Sequence, residues 1–440
     1  MFSPHRLFAS TPSESADILS YSEFLDRARK ERARGDTDAS RAALAGYLVA
    51  RLVARWTDAA GPGAGAGPGA ADEQESFEWQ RASTRRYVDE LDGSRAETRF
   101  LQSVLDGLEA EPAARARALG LALTAFAYFL EHEGRLGEAL HVVRLAALTY
   151  PGPVPPSEFA TLALLTGRLN RMQARWAAAN QAYAAAADAA AIAGDRATLL
   201  RSRLGQVNVL RGQGNLPRAR ALAEAVIAEA EGDELTDVRS GAFADLSFVL
   251  ELQGLPLEAL RAAYEAARLA RDPLVRLRML GDLGVKLAAQ GYADEAKLAL
   301  EIVAGSEAAF VVRTNAALEL MALESARGNR LAFERHRNAV RDSVSQMPPS
   351  MAVDFHYKVG LGLARFGVPD RARGALAEAL RLSEAFGLNE WYFRIERVLR
   401  HLDECTTEEL SAAPSGPAER PAWLAAVPAG LREVAETVSS

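Results

Sequence analysis

The 440-residue sequence has only one cysteine, Cys405, so it can form no intramolecular disulfide and no metal site built from several thiolates. The chain also has no excess of positive charge, since it contains 51 Lys and Arg residues and 58 Asp and Glu residues. The resulting net charge of −7 argues against general affinity for nucleic acid or anionic membranes. No apolar stretch typical of a secretory signal opens the chain, and the longest apolar run, residues 118–130, is too short to span a bilayer. These absences predict a cytoplasmic protein without direct nucleic-acid or membrane partners.

Familiar catalytic and cofactor motifs are missing as well. The sequence has no Gly-x-Gly-x-x-Gly, Walker loop, His-Glu-x-x-His or Gly-x-Ser-x-Gly, and its six histidines are scattered without metal-ligand spacing. We therefore expect a protein that is not an enzyme and that uses no cofactor and no metal. A catalytic site assembled from distant helices is the alternative that sequence motifs do not address.

What the sequence does contain is a repeated helical pattern. Seven times along the chain, at intervals of 37 to 40 residues, a turn residue separates one helical pattern from the next. This residue is glycine at six of the seven positions and Ala174 at the other. Five residues after each turn stands a small residue, except at Phe333. No sustained period-two alternation indicates strands, so the chain is predicted to be all-α. The turn glycines are Gly134, Gly214, Gly254, Gly291, Gly328 and Gly367.

Gly284 lies inside a helical pattern, where glycine costs about 1 kcal/mol relative to alanine. Its neighbours Leu280, Leu283 and Leu287 form an apolar stripe at helical spacing. Helix axes pack 8–10 Å apart depending on the side chains between them. We therefore expect Gly284 and Ala296 to lie on facing helices and to let the pair close.

The segment Leu280-x-x-Leu283-Gly284-x-x-Leu287, followed by Ala296 and Leu300, resembles the tetratricopeptide repeat. The resemblance covers roughly residues 113–403, and its period is longer than the usual 34, similar to the long repeats in sensory regions of some bacterial transcriptional regulators. It implies an α-solenoid, a right-handed superhelix of antiparallel helix pairs. In that class the concave face, lined by the first helix of each pair, binds a peptide or a partner's helix.

Five regions follow from the pattern. They are an N-terminal helical segment (1–59), a flexible Gly/Ala/Pro linker (60–76), a helical pair (77–112), an array of about seven repeats with a C-terminal capping helix (113–403), and a flexible tail with a short helix (404–440). The N-terminal segment is either a degenerate repeat or a separate small bundle.

The candidate binding residues lie on the first helices, away from the buried stripe. They are rich in arginine, whose fork of donors suits carboxylates, and Asn208 could hydrogen-bond a peptide backbone. We expect them to bind an acidic segment or a C-terminal carboxylate; the alternative is that these arginines pair with nearby Glu and Asp. The predicted function is a protein-binding scaffold or adaptor, with a regulatory sensor in bacterial signalling or transcription control as the alternative. The residues are Tyr128, Arg168, Arg171, Arg201, Asn208, Arg211 and Phe248.

Overall fold

The computed structural model describes residues 22–59, 70–150, 152–403 and 421–439. Within these ranges the chain forms twenty α-helices and no β-strand, so the predicted all-α fold class is confirmed. The chain divides into two compact units, residues 1–222 and 223–440. Inside each unit, helix pairs stack on their neighbours in chain order, as in an α-solenoid.

Ten helices precede residue 230 and ten follow it. The first ten are α1 (Ser22–Ala33), α2 (Thr37–Ala59), α3 (Ala70–Asp89), α4 (Ala96–Glu109), α5 (Pro112–His132), α6 (Leu136–Leu148), α7 (Pro156–Met172), α8 (Trp176–Ala193), α9 (Arg196–Gly212) and α10 (Leu216–Glu229). The others are α11 (Thr236–Leu252), α12 (Pro256–Leu269), α13 (Pro273–Ala289), α14 (Ala293–Ala304), α15 (Phe310–Ala326), α16 (Arg330–Arg341), α17 (Pro349–Arg365), α18 (Pro369–Ala385), α19 (Asn389–Asp403) and α20 (Val427–Ser439).

The seven predicted turn positions all have a left-handed backbone. The six glycines have φ between 72° and 78°, and Ala174 has φ of 56°. Each turn joins the first helix of a pair to the second, from α5–α6 to α17–α18. The prediction of repeated helix pairs is therefore confirmed, since turn residue and helix boundary coincide in every pair.

Small residues close the pairs as expected. A Cβ atom on Gly284 would lie 2.7 Å from Cγ of Leu300, and Ala296 is completely buried. The exception, Phe333 on α16, is completely buried too, and its ring lies against Gly362 on α17, where a Cβ would be 2.3 Å from Cε2 of Phe333. The large residue in one pair is thus accommodated by a glycine in the next.

The N-terminal helices belong to the core of the first unit. Phe24 of α1 and Val53 of α2 are fully buried in the same apolar cluster as Leu101 and Phe126. Arg27 fixes α1 further, since its Nη2 lies 2.7 Å from Oε1 of Glu97 on α4 and its Nε 3.0 Å from Oε1 of Glu138 on α6. Of the two alternatives for residues 1–59, the described part of this segment is therefore not a separate bundle.

The predicted linker is shorter than its sequence suggested. Residues 60–69 lie outside the described ranges, but residues 70–76 form the first turns of α3, which corrects the prediction for that part. Asp72 and Glu73 stand in the first turn, where acidic side chains favour a helix N-terminus. Arg55 of α2 anchors the same turns, donating to the Glu73 carbonyl at 3.0 Å and to Gln80 Oε1 at 2.7 Å.

The predicted flexible tail contains a packed helix. Leu424, Val427 and Leu431 are buried in the core of the second unit, against α12 and α14. The predicted short helix near residues 431–437 is observed as α20. Residues 404–420, which include Cys405, lie outside the described ranges. Flexibility is therefore the wrong description for residues 421–431, because their apolar side chains complete a core.

One described helix, α5, is long and apolar enough to cross a membrane by length and composition. Its apolar residues Leu119, Leu123, Phe126 and Leu130 are, however, almost completely buried against neighbouring helices of the first unit. One face of α5 therefore lies in the core of the first unit, whereas Leu121 on the same helix is 56% exposed.

Candidate functional site

The first helices of the first unit lie side by side, with α7 in contact with both α5 and α9. This arrangement brings together predicted residues that are far apart in sequence, because each repeat contributes the same helix face. Tyr128 of α5 contacts Arg168 of α7, which pairs with Glu131, and the charge of Arg201 on α9 acts on the Tyr128 hydroxyl. We call these four residues the first-helix surface.

Arg168 lies at the centre of the first-helix surface. Its Nη2 is 2.8 Å from Oε1 and 2.9 Å from Oε2 of Glu131, and its guanidinium lies 5.8 Å from the centre of the Tyr128 ring. The Glu131 side chain is only 8% exposed, whereas that of Arg168 is 44% exposed. Arg168 therefore satisfies a buried carboxylate with one side and presents a cation next to an exposed aromatic ring with the other.

Arg201 adds a second positive charge to this surface. Burial raises the pKa of the Tyr128 hydroxyl, and the charges of Arg168 and Arg201 oppose that rise. Arg201 also lies near Asp195, the N-cap of α9, which accepts a hydrogen bond from the Thr198 amide at 2.9 Å. Burial raises the pKa of the Asp195 carboxyl, but the hydrogen bonds from the side chain and amide of Thr198, with the Arg201 charge, outweigh it and lower that pKa.

The other predicted residues of the first unit are less available than the sequence suggested. Arg171, Asn208 and Arg211 are half-buried. Asn208 donates from Nδ2 to the Leu204 carbonyl of its own helix at 3.1 Å, and both Asn208 and Arg211 engage other groups of the chain. For Arg168, Asn208 and Arg211, pairing within the protein therefore accounts for at least part of the polar side chain.

Phe248 lies in the second unit, on α11, in a similar local arrangement. The Nζ of Lys286 on α13 lies 4.6 Å from the Phe248 ring centre and forms an ion pair with Glu251. The motif repeats because Tyr128 and Phe248 both stand six residues before a turn glycine, and Glu131 and Glu251 stand three before it. Sequence reasoning identified this aromatic but missed its cation, Lys286, which is only 7% exposed.

A metal site receives no support in the described part of the chain. No group of three or more His, Cys, Asp or Glu side chains is placed there to hold a metal ion. The residues of the first-helix surface are instead suited to bind a group that carries negative charge and an apolar portion.

Comparison with known proteins identifies no family. No family model matches the sequence, and no curated protein matches it. Among solved structures, the chain is similar to a crystal structure of a Rap protein complexed with the competence and sporulation factor, with 10% identity, a TM-score of 0.41, and coverage of 83% of this chain and 99% of that chain. At this score the likeness supports no conclusion about function.

Proposed function

We propose that this protein is a non-catalytic scaffold that binds a protein or peptide through the first-helix surface. The observation that carries the proposal is the position of Arg168, between the buried carboxylate of Glu131 and the exposed ring of Tyr128. The charge of Arg201 also acts on the Tyr128 hydroxyl, so three consecutive first helices supply two cations and an aromatic ring. Such a surface favours a partner that brings an acidic segment or a C-terminal carboxylate.

The sensor alternative receives less support from the described contacts. It requires the N-terminal helices to move independently of the remainder of the chain. Phe24 is fully buried in the core of the first unit, and Arg27 pairs with Glu97 and Glu138 on two other helices. Independent movement would leave these two carboxylates, which are nearly buried, without one of their cations, and that favours the scaffold.

The test should remove charge without removing stability. Replacing Arg168 by alanine would leave Glu131 buried and unpaired, so a loss of binding would be confounded with a loss of fold. The double variant Arg171→Gln and Arg201→Gln keeps that ion pair and removes one charge of the first-helix surface together with the arginine three residues after Arg168 on α7. The matched control is Arg86→Gln with Arg99→Gln, which removes two exposed arginines from α3 and α4.

The measurement is enrichment from a random peptide library with free C-termini, using immobilised protein. We expect the unmodified protein to enrich acidic peptides, the double variant to lose about tenfold or more of that enrichment, and the control to keep it. Equal enrichment by the double variant and the control, or enrichment without acidic preference, would overturn the proposal.

A further inference from the structure

A separate concave site lies on another side of α9. Helices α8, α9 and α10 surround a cavity of about 340 Å³, all of whose lining residues belong to the first unit. The lining residues at positions 206, 209 and 210 of α9, and Gln213 directly after its last residue, have the spacing of a single helix face. Arg201 and Asn208, which are seven residues apart, lie on a different face of α9. The cavity therefore shares no residue with the first-helix surface.

A glycine gives this cavity its flat apolar wall. A Cβ atom on Gly212 would lie 2.5 Å from Cη2 of Trp176, so the absence of a side chain lets the indole lie directly against α9. Val209 and Leu222 extend the apolar lining. The volume is near the lower end of the 300–1,000 Å³ that small-ligand sites occupy, which suits a single amino-acid residue.

The polar lining is neutral except for one cation. Asn180, Gln206 and Gln213 contribute three carboxamides, each able to donate and to accept hydrogen bonds. The one charged lining residue is Arg218 of α10, whose side chain is exposed. None of the nine lining residues is acidic. A ligand that complements this lining carries one negative charge, an amide-like polar portion and an apolar group.

We propose that this cavity binds the C-terminal residue of a peptide. The terminal carboxylate pairs with Arg218, the side chain packs on the Trp176 indole, and the last peptide unit hydrogen-bonds to the carboxamides. A free amino acid would also bring an ammonium group, for which the lining provides no carboxylate, whereas a peptide has a neutral amide there. The inference goes beyond the proposed function and stands even if the first-helix surface binds nothing.

The probe is the tripeptide Gly-Gly-Phe labelled with fluorescein at its N-terminus, with a free C-terminus or a C-terminal amide. Fluorescence anisotropy measures its Kd for the full chain. We expect saturable binding of the acid, about tenfold tighter than binding of the amide. Arg218→Gln should reduce the affinity for the acid to that for the amide, and Gln206→Leu should weaken both probes. Arg99→Gln, an exposed arginine of α4, is the charge-matched control.

Three results would overturn this inference. They are the absence of saturable binding below about 1 mM, equal affinity for acid and amide, and an effect of Arg218→Gln no larger than that of Arg99→Gln. Loss of the acid probe in the Arg171→Gln and Arg201→Gln variant, but not in Arg218→Gln, would assign the carboxylate to the first-helix surface instead. Circular dichroism of each variant verifies that helix content is unchanged.

Discussion

Individual turn residues set the boundaries of the helix pairs. Six of the seven turns use glycine, which adopts positive φ without steric cost, and the seventh uses Ala174 at φ of 56°. In the described ranges Ala174 is the only residue other than glycine with positive φ. Its Cβ is placed close to the following carbonyl oxygen, a strain of roughly 1–2 kcal/mol.

Replacing Ala174 by glycine should therefore stabilise the first unit. The strain relieved exceeds the added backbone entropy of glycine in the unfolded chain, and we expect a gain of about 0.5–1 kcal/mol in the free energy of unfolding. Urea unfolding followed by circular dichroism measures it. The reciprocal control, Gly134→Ala, should destabilise by about 1 kcal/mol. A destabilised Ala174→Gly protein would contradict this account of the turn.

The turns and small residues were predictable from sequence because they recur with the period of the repeat. Phe333 was not, since its compensating residue, Gly362, lies on the first helix of the following pair and no local pattern connects them. The sequence marked Phe333 only as an exception. Its explanation required the contact between neighbouring pairs.

This contact can be tested by enlarging the glycine. Gly362→Ala would place a Cβ 2.3 Å from the ring of Phe333, which is itself fully buried and 5.3 Å from the ring of Phe366. We expect destabilisation of the second unit by about 1–3 kcal/mol, the usual cost of overpacking. In the Phe333→Leu background the same change should cost less, and additive effects in this double-mutant cycle would show that the two sites are independent.

Between elements, buried ion pairs tie successive helices together. Glu324 of α15 is 1% exposed, lies 2.7 Å from Nζ of Lys297 on α14, and accepts a hydrogen bond of 2.9 Å from Asn329. Asn329 is the N-cap of α16 and accepts from the Ala332 amide at 3.2 Å. Burial raises the pKa of Glu324, but Lys297 and Asn329 outweigh burial and lower it below 4.5.

Because the pKa of Glu324 is lowered in the folded state, the free energy of unfolding should fall as the pH is lowered. The contribution of Glu324 should be complete above pH 4.5, its ordinary value, and be lost as the pH falls through the lower folded-state pKa. Glu324→Gln, which keeps the shape but cannot ionise, should cost about 1–2 kcal/mol at pH 7 and almost nothing well below the folded-state pKa. Urea unfolding of both proteins across this range measures the difference, and a difference independent of pH would contradict it.

At the same scale, sequence periodicity predicted which face of each first helix is buried, but not how the charges on the opposite face are used. Arg168 and Glu131 stand 37 residues apart, in different pairs, and their contact depends on the stacking of α7 on α5. Arg168 was therefore predicted as a binding residue, whereas the structure also gives it the buried carboxylate to neutralise. The paired interpretation of this arginine holds for its contact with Glu131, and partner binding by its exposed side stays a prediction.

On the scale of the whole chain, the repeat period predicted the region from α5 to α18 well and the two ends poorly. The first two helices are joined by a turn glycine, Gly35 at φ of 85°, but α20 follows no such turn, and each end packs on helices remote in sequence. Their amphipathic patterns were visible, but short patterns do not specify which surface they cover. The apolar surface left open by a stack of pairs is what these end segments bury.

The packing of α20 leads to the last prediction. Leu431 is 1% exposed and shares a core with α12 and α14, while Trp423 lies 6.4 Å from the ring of Tyr264 on α12. Leu431→Ser should release α20, because burying a hydroxyl there loses the apolar contact and leaves a polar group to satisfy. We expect faster hydrogen exchange in α12 and α14, with little change in helix content elsewhere.

The control for this release lies two residues away on the same helix, on a different side. Ala429 is exposed, so Ala429→Ser introduces the same hydroxyl without removing a core contact, and exchange in α12 and α14 should remain slow. Equal protection in the two variants would mean that α20 contributes no stability to those helices. Faster exchange in Leu431→Ser alone would show that the C-terminal segment, which resembles a tail in sequence, completes the core of the second unit.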